Sequence, residues 1–205
     1  MSKQNRNSKT KTIALLGILT GLIILMAFTP VGYLRVGVVV SISFLMIPVA
    51  VGSLAKGPWA GAALGTVFGI TSFVQCFGLD AFGTYLASKN VFFTFVMCVV
   101  CRALAGLCAG LIFKLITKLT KNVIVRSSLT GLSAAVFNTI FFVSALILLF
   151  GKSTVGEATG LNPELSFLAL FVAMVGINAV LEAIASFIIT GAVGTALFKA
   201  KLIEN

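Results

Sequence analysis

The sequence contains no histidine, only 5 acidic residues and a single tryptophan in 205 positions. Without histidine the commonest general base and a frequent zinc ligand are missing. Charged residues make up 10% of the chain, whereas a soluble domain of this length carries roughly a quarter. The chain therefore lacks the polar surface to cover itself in water. It also has no G-x-S-x-G, no cluster of metal-ligand spacing and no G-x-x-x-x-G-K-[ST] phosphate loop. Hydrolytic chemistry has no base to run on, no cofactor is expected, and any ATP used must be bound by another chain. The chain is not read as an enzyme.

What is present is apolar: 59% hydrophobic residues and a mean hydropathy of +1.14. Nearly uncharged runs long enough to cross a hydrocarbon core of about 30 Å recur along the chain. They predict six spans, at Thr12–Thr29, Val38–Ala55, Trp59–Cys76, Val91–Leu115, Ser127–Phe150 and Leu165–Phe198. Each run is too long for a strand and lacks period-two alternation, so the fold is predicted all-α. The first run is longer than a typical signal-peptide core and no A-x-A-like site follows it, so it is read as a mature helix. Residues 1–11 and 199–205 are then short tails around a transmembrane domain of 12–198.

Basic residues set the predicted orientation. They cluster before the first span (Lys3, Arg6, Lys9, Lys11), at Lys56, along Lys114–Arg126 and at Lys199 and Lys201. The opposite side holds only Arg35, Lys89 and Lys152. This positive-inside bias places both termini in the cytoplasm. The net charge of +10 is thereby explained as topology, with no nucleic-acid partner required.

Four cysteines include a C-x-x-C at Cys98 and Cys101, within an apolar run that also holds Cys108; Cys76 ends another span. With no histidine to complete a metal site, they read as small packing residues.

Polar residues inside the spans are few. Arg102 and Asn138 lie about 11 residues into the fourth and fifth spans, and Asn178 and Glu182 about 13 and 17 into the sixth, so all sit about 16–26 Å deep. Asn178 and Glu182, four apart, share one helical face. A charge at such depth costs about 2.5–3.5 kcal/mol on insertion scales. One reading is an Arg102–Glu182 ion pair with the asparagines as interhelical glue. Desolvation makes a buried pair a poor source of stability, which favours the second reading, a ligand-facing cavity.

Glycines carry a further pattern. Gly57, Gly61, Gly65 and Gly69 recur at every fourth position, Gly106 and Gly110 repeat the spacing in the fourth span, and Gly17 and Gly21 in the first. Such ladders let helices approach closely. The connections predicted on the outer side hold Tyr33 and Arg35 (30–37), Phe82, Tyr85, Lys89 and Asn90 (77–90), and a polar, glycine-rich stretch (151–164). Asn162-Pro163-Glu164 reads as an N-cap, a first-turn proline and a first-turn acid opening the sixth helix.

The run GYLRVGVVVSISFLMIPVAVGSLAKGPWAGAALGTVFGITSF, followed by CRALAGLCAGLIF and FNTIFFVSALILLF, resembles the substrate-binding S component of energy-coupling factor (ECF) vitamin transporters. The resemblance extends over roughly Thr12 to Phe198. It lies nearest the riboflavin/pantothenate-like branch and, within it, pantothenate-specific members. It implies a six-helix importer subunit of a bacterial or archaeal plasma membrane, with a vitamin pocket walled by helices 4–6 and covered by the outer loops. It also implies assembly with a membrane coupling subunit and two cytoplasmic ATPases. Family members dock through A-x-x-x-A in the first helix, to which Gly17 and Gly21 correspond here. With pantothenate as ligand, Arg102 would grip its carboxylate, Asn138 and Asn178 its amide and hydroxyls, and Glu182 a hydroxyl or Arg102 itself, with Tyr33, Arg35 and Asn90 contributed by the loops. Riboflavin, a pyridoxine-like compound or a queuosine precursor fit the same polar set, and a purely structural membrane subunit is the reading from another class.

Overall fold

The computed structural model describes residues 3–30, 32–35 and 41–200, without the side chains at positions 3–9, 11, 34, 35, 41, 42, 177 and 178. Helix dominates, as expected from the long apolar runs. In chain order the elements are α1 (Lys3–Ala27), strands β1 (Tyr33–Arg35) and β2 (Ser41–Ser43), α2 (Met46–Lys56), α3 (Pro58–Gln75), α4 (Ala81–Lys89), α5 (Val91–Phe95), a π-helical turn (Val96–Val100), α6 (Cys101–Leu119), α7 (Val123–Thr159) and α8 (Phe167–Lys199). By length and composition, three described helical stretches can cross a membrane: Val91–Leu119, Val123–Thr159 and Ala179–Lys199. Thr12–Ala27, Met46–Lys56 and Phe167–Gly176 are shorter apolar helices.

Several boundaries differ from the sequence expectation for identifiable reasons. The second span does not run as helix from Val38: Ser41–Ser43 is a strand, paired antiparallel so that Tyr33 faces Ser43, and helix begins at Met46. The β-branched Ile42 between two serines suits an extended pair. The predicted 77–90 connection folds over most of its length into α4, because the Asp80 carboxylate accepts the Gly83 N–H at 2.7 Å and caps it. Asn162 does not open the last helix. Its Oδ1 accepts the Glu164 N–H at 2.9 Å within a turn, and Ser166 is the N-cap, its hydroxyl accepting from the Ala169 N–H at 3.2 Å. Two helices are broken at glycines with positive φ: α7 at Gly151 (φ 78°) and α8 at Gly176 (φ 48°).

The glycine ladder forms the tightest seam. Gly57, at φ 83°, makes the turn between α2 and α3, with Pro58 at the first helical position. Along α3, a Cβ added at Gly61 would strike the Gly106 carbonyl, and one at Gly65 the Arg102 carbonyl. The relation is mutual, since a Cβ at Gly106 would strike the Gly61 carbonyl and one at Gly110 the backbone of Pro58. Ser53 of α2 donates to the Gly106 carbonyl at 3.1 Å and binds a third helix to the seam. The backbones of α3 and α6 thus lie in direct contact. Two apolar clusters flank this seam: one joins Leu19, Ile23, Met46, Leu64 and Phe68, the other Leu86, Met97, Val143, Leu146 and Leu170. Outward-facing positions such as Leu148 (72% exposed) and Ile188 (60%) are apolar too. An apolar exterior over an apolar core fits a lipid surround.

Candidate functional site

At the end of the bundle that carries the hairpin and α4, the helices enclose a cavity of about 360 Å³. Its lining includes Tyr33 and Ser43 from the hairpin, Phe68, Ser72, Gln75 and Cys76 from α3 and its end, and Asp80 and Phe82 at the start of α4. Met97 and Cys98 of the π turn, Arg102 of α6, Asn138, Thr139 and Phe142 of α7, and Glu182 of α8 complete the polar and aromatic wall.

Arg102 lies among these groups and is only 8% exposed. Its guanidinium sits 4.5 Å from the Phe68 ring centroid and 5.1 Å from that of Phe142, an arrangement that stabilises a cation through the ring quadrupoles. Nη1 donates to the Cys98 carbonyl at 3.1 Å. That carbonyl belongs to the π turn, where the Cys101 N–H reaches back to the Val96 carbonyl, one residue further than in an α-helix. Arg102 Nε has no partner.

The Arg102–Glu182 pair considered from sequence is not formed. Among the described residues the ion pair is Lys89–Glu157, and Glu182 Oε1 instead accepts the Ser43 backbone N–H at 2.5 Å. Three further buried polar atoms of the lining have no hydrogen-bond partner: Tyr33 Oη, Ser43 Oγ and Asn138 Oδ1. A buried polar atom left unpaired costs about 1–3 kcal/mol. Four such atoms in one cavity make it chemically receptive to a polar guest with both donors and acceptors.

The other residues singled out from sequence are placed as follows. Tyr33 and Asn138 line the cavity with Arg102 and Glu182. Asn90 does not; its Oδ1 accepts the Phe93 N–H at 3.0 Å and caps α5. The side chains of Arg35 and Asn178 lie outside the described residues; the Arg35 backbone pairs with Ser41, and Asn178 follows the Gly176 break. Gly17 and Gly21 are on the exposed face of α1, where an added Cβ would meet nothing within 4 Å. Sequence reasoning missed Ser43, Ser72, Gln75, Asp80 and Thr139. Ser43 enters the site as the cross-strand partner of Tyr33, and a three-residue strand is too short for its alternation to be read from sequence.

Beside the cavity, α4 is fastened to the segment of α7 beyond Gly151. Tyr85 Oη donates to Glu157 Oε2 at 2.6 Å, and Lys89 Nζ lies 3.5 Å from the same oxygen and 5.2 Å from the Tyr85 ring centroid. The Tyr85 hydroxyl, and after it the Lys89 charge, hold the Glu157 carboxyl below its ordinary range. Gln75 makes a second fastening, donating through Nε2 to the Ala27 carbonyl at 2.5 Å and so joining α3 to the end of α1.

No curated protein matches the chain. A family model described as the ECF transporter, substrate-specific component matches residues 11–194, nearly the whole sequence. An apolar helical bundle holding a cavity of mixed polar and apolar lining suits a membrane subunit that binds a small-molecule substrate, and this chain belongs to the family of ECF transporter substrate-specific components.

Proposed function

We propose that the protein binds a carboxylate-bearing vitamin, pantothenate, from outside the cell and delivers it as part of an ECF importer. The observation that carries this reading is Arg102: a residue 8% exposed, its guanidinium near two aromatic rings and its Nε unpartnered beside a cavity of about 360 Å³. A carboxylate accepts from Arg102, which also gives the buried cation its counter-charge. Asn138 Oδ1 accepts from the amide N–H or a hydroxyl, while Tyr33 and Ser43 hydroxyls serve the remaining polar groups. Phe68, Phe142 and Met97 pack the gem-dimethyl portion. Asn178 and Arg35 are further candidates from their positions in the chain, and Asn90 acts through the α5 cap.

In this reading six helical segments span a plasma membrane with both termini cytoplasmic, residues 12–198 forming the substrate-binding domain. The hairpin, α4 and the stretch after Gly151 then face outward over the cavity. A membrane coupling subunit and two cytoplasmic ATPases complete the importer, and the exposed Gly17–Gly21 face of α1 is the docking surface for the coupling subunit. The test is equilibrium binding of radiolabelled pantothenate to the purified protein, with unlabelled riboflavin, pyridoxine and other vitamins as competitors. Saturable binding displaced by pantothenate alone supports the assignment. Retention of a different vitamin keeps the family and replaces the ligand.

A further inference from the structure

The C-x-x-C spacing draws attention to Cys98 and Cys101, yet the fold pairs Cys98 with a different thiol. Cys76 Sγ, at the end of α3, lies 3.9 Å from Cys98 Sγ on the π turn. Both side chains line the cavity, at 4% and 1% exposure, whereas Cys101 and Cys108 do not line it. The Cys76 thiol also donates to the Ser72 carbonyl at 3.3 Å, which holds it on the cavity side of its helix. A disulfide brings its sulfurs to about 2.05 Å. Closing from 3.9 Å requires a change of side-chain rotamer at one or both cysteines.

We propose that Cys76 and Cys98 are a reactive dithiol in the cavity wall, closed to a disulfide by exchange with a small organic disulfide that enters the cavity. One cysteine, as thiolate, attacks the reagent, forming a mixed disulfide and expelling one reagent thiolate, which takes up the proton the cysteine lost. The second cysteine loses its proton and attacks the protein sulfur of the mixed disulfide. The Cys76–Cys98 bond forms, and the other half of the reagent leaves as a thiol carrying that second proton. Two protein thiols are oxidised by two electrons, and one reagent disulfide is reduced to two thiols. Closure has a direct structural consequence, because the Cys98 carbonyl accepts the hydrogen bond from Arg102 Nη1. The bond ties the anchor of that guanidinium to the end of α3.

The test uses the full chain in lipid nanodiscs with Cys101→Ser and Cys108→Ser, so that only the pair remains. After treatment with 4,4′-dithiodipyridine, intact-mass and peptide mass spectrometry should show loss of two hydrogens, no retained pyridyl adduct, and a linked peptide joining positions 76 and 98. Adding Cys76→Ser should convert this outcome to one stable adduct at Cys98. Two separate adducts without a link, or a folded protein that stays unmodified while its denatured form reacts, would overturn the proposal.

Discussion

Glu182 accepts the backbone N–H of Ser43 at 2.5 Å and makes no ion pair with Arg102, although both side chains line the same cavity. The carboxylate therefore fastens the Tyr33–Ser43 hairpin to α8, and the guanidinium keeps an unpartnered Nε. A direct pair would have occupied the guanidinium donors; this arrangement leaves Arg102 Nε available to a guest.

Arg102→Ala is predicted to weaken pantothenate binding roughly ten- to a hundredfold, from about 1.5–3 kcal/mol for a hydrogen bond to a charged group. Arg102→Lys keeps the charge but loses the planar fork and its donors, so an intermediate loss is expected. Radioligand binding to the purified variants measures both. Unchanged affinity in the alanine variant would return Arg102 to a structural role.

Glu182→Ala should release the hairpin, while Glu182→Gln, whose amide oxygen still accepts from Ser43, should hold it. Hydrogen exchange at the Ser43 amide is the readout. It should speed up in the alanine variant and stay near the wild-type rate in the glutamine variant. Equal protection in all three would show that the Glu182 contact does not hold the hairpin.

The two glycine patterns should respond in opposite ways. Gly61→Leu forces a side chain into the backbone of α6, and overpacking of this kind costs about 1–3 kcal/mol or more, so a lower thermal midpoint in detergent is expected. Gly21→Leu points into open space and should leave the midpoint and vitamin binding unchanged. If α1 docks the coupling subunit, the same variant should fail to co-purify with it.

The α4 fastening should depend on pH. Tyr85 and Lys89 hold the Glu157 carboxyl below its ordinary value, so the contact stabilises the docking of α4 on α7 above the ordinary carboxylate range. It is lost as pH falls through the depressed folded value. Hydrogen exchange across Ala81–Lys89 should therefore be slow at neutral pH relative to Glu157→Gln. The difference should vanish in acid, once base-catalysed exchange is corrected for. The glutamine variant keeps an acceptor for Tyr85 and loses only the charge facing Lys89, so a match to wild type at neutral pH would show that this charge does not hold α4.

Much of this architecture was legible because its causes are local or compositional. Apolar runs without charge announce long helices, and a four-residue glycine period announces a close helical seam, found here between α3 and α6. Arg102, Asn138 and Glu182 stood out because burying such groups is costly wherever they are packed. Local chemistry was less decisive where two signals competed, as when Ser166 rather than Asn162 capped α8.

Sequence alone determined the apolar helical class, the few polar side chains that must share an interior, and the glycines on which two backbones can meet. Tertiary structure decided which buried groups found partners. Cys98 met Cys76 across two helices, not Cys101 along one, and the π turn offered its carbonyl to Arg102. Glu182 met Ser43 because a three-residue strand, with almost no signal of its own, was held against α8. The reason is physical: helix formation and burial cost are read from neighbours and composition, whereas hydrogen-bond partners far apart in the chain exist only once helices have packed.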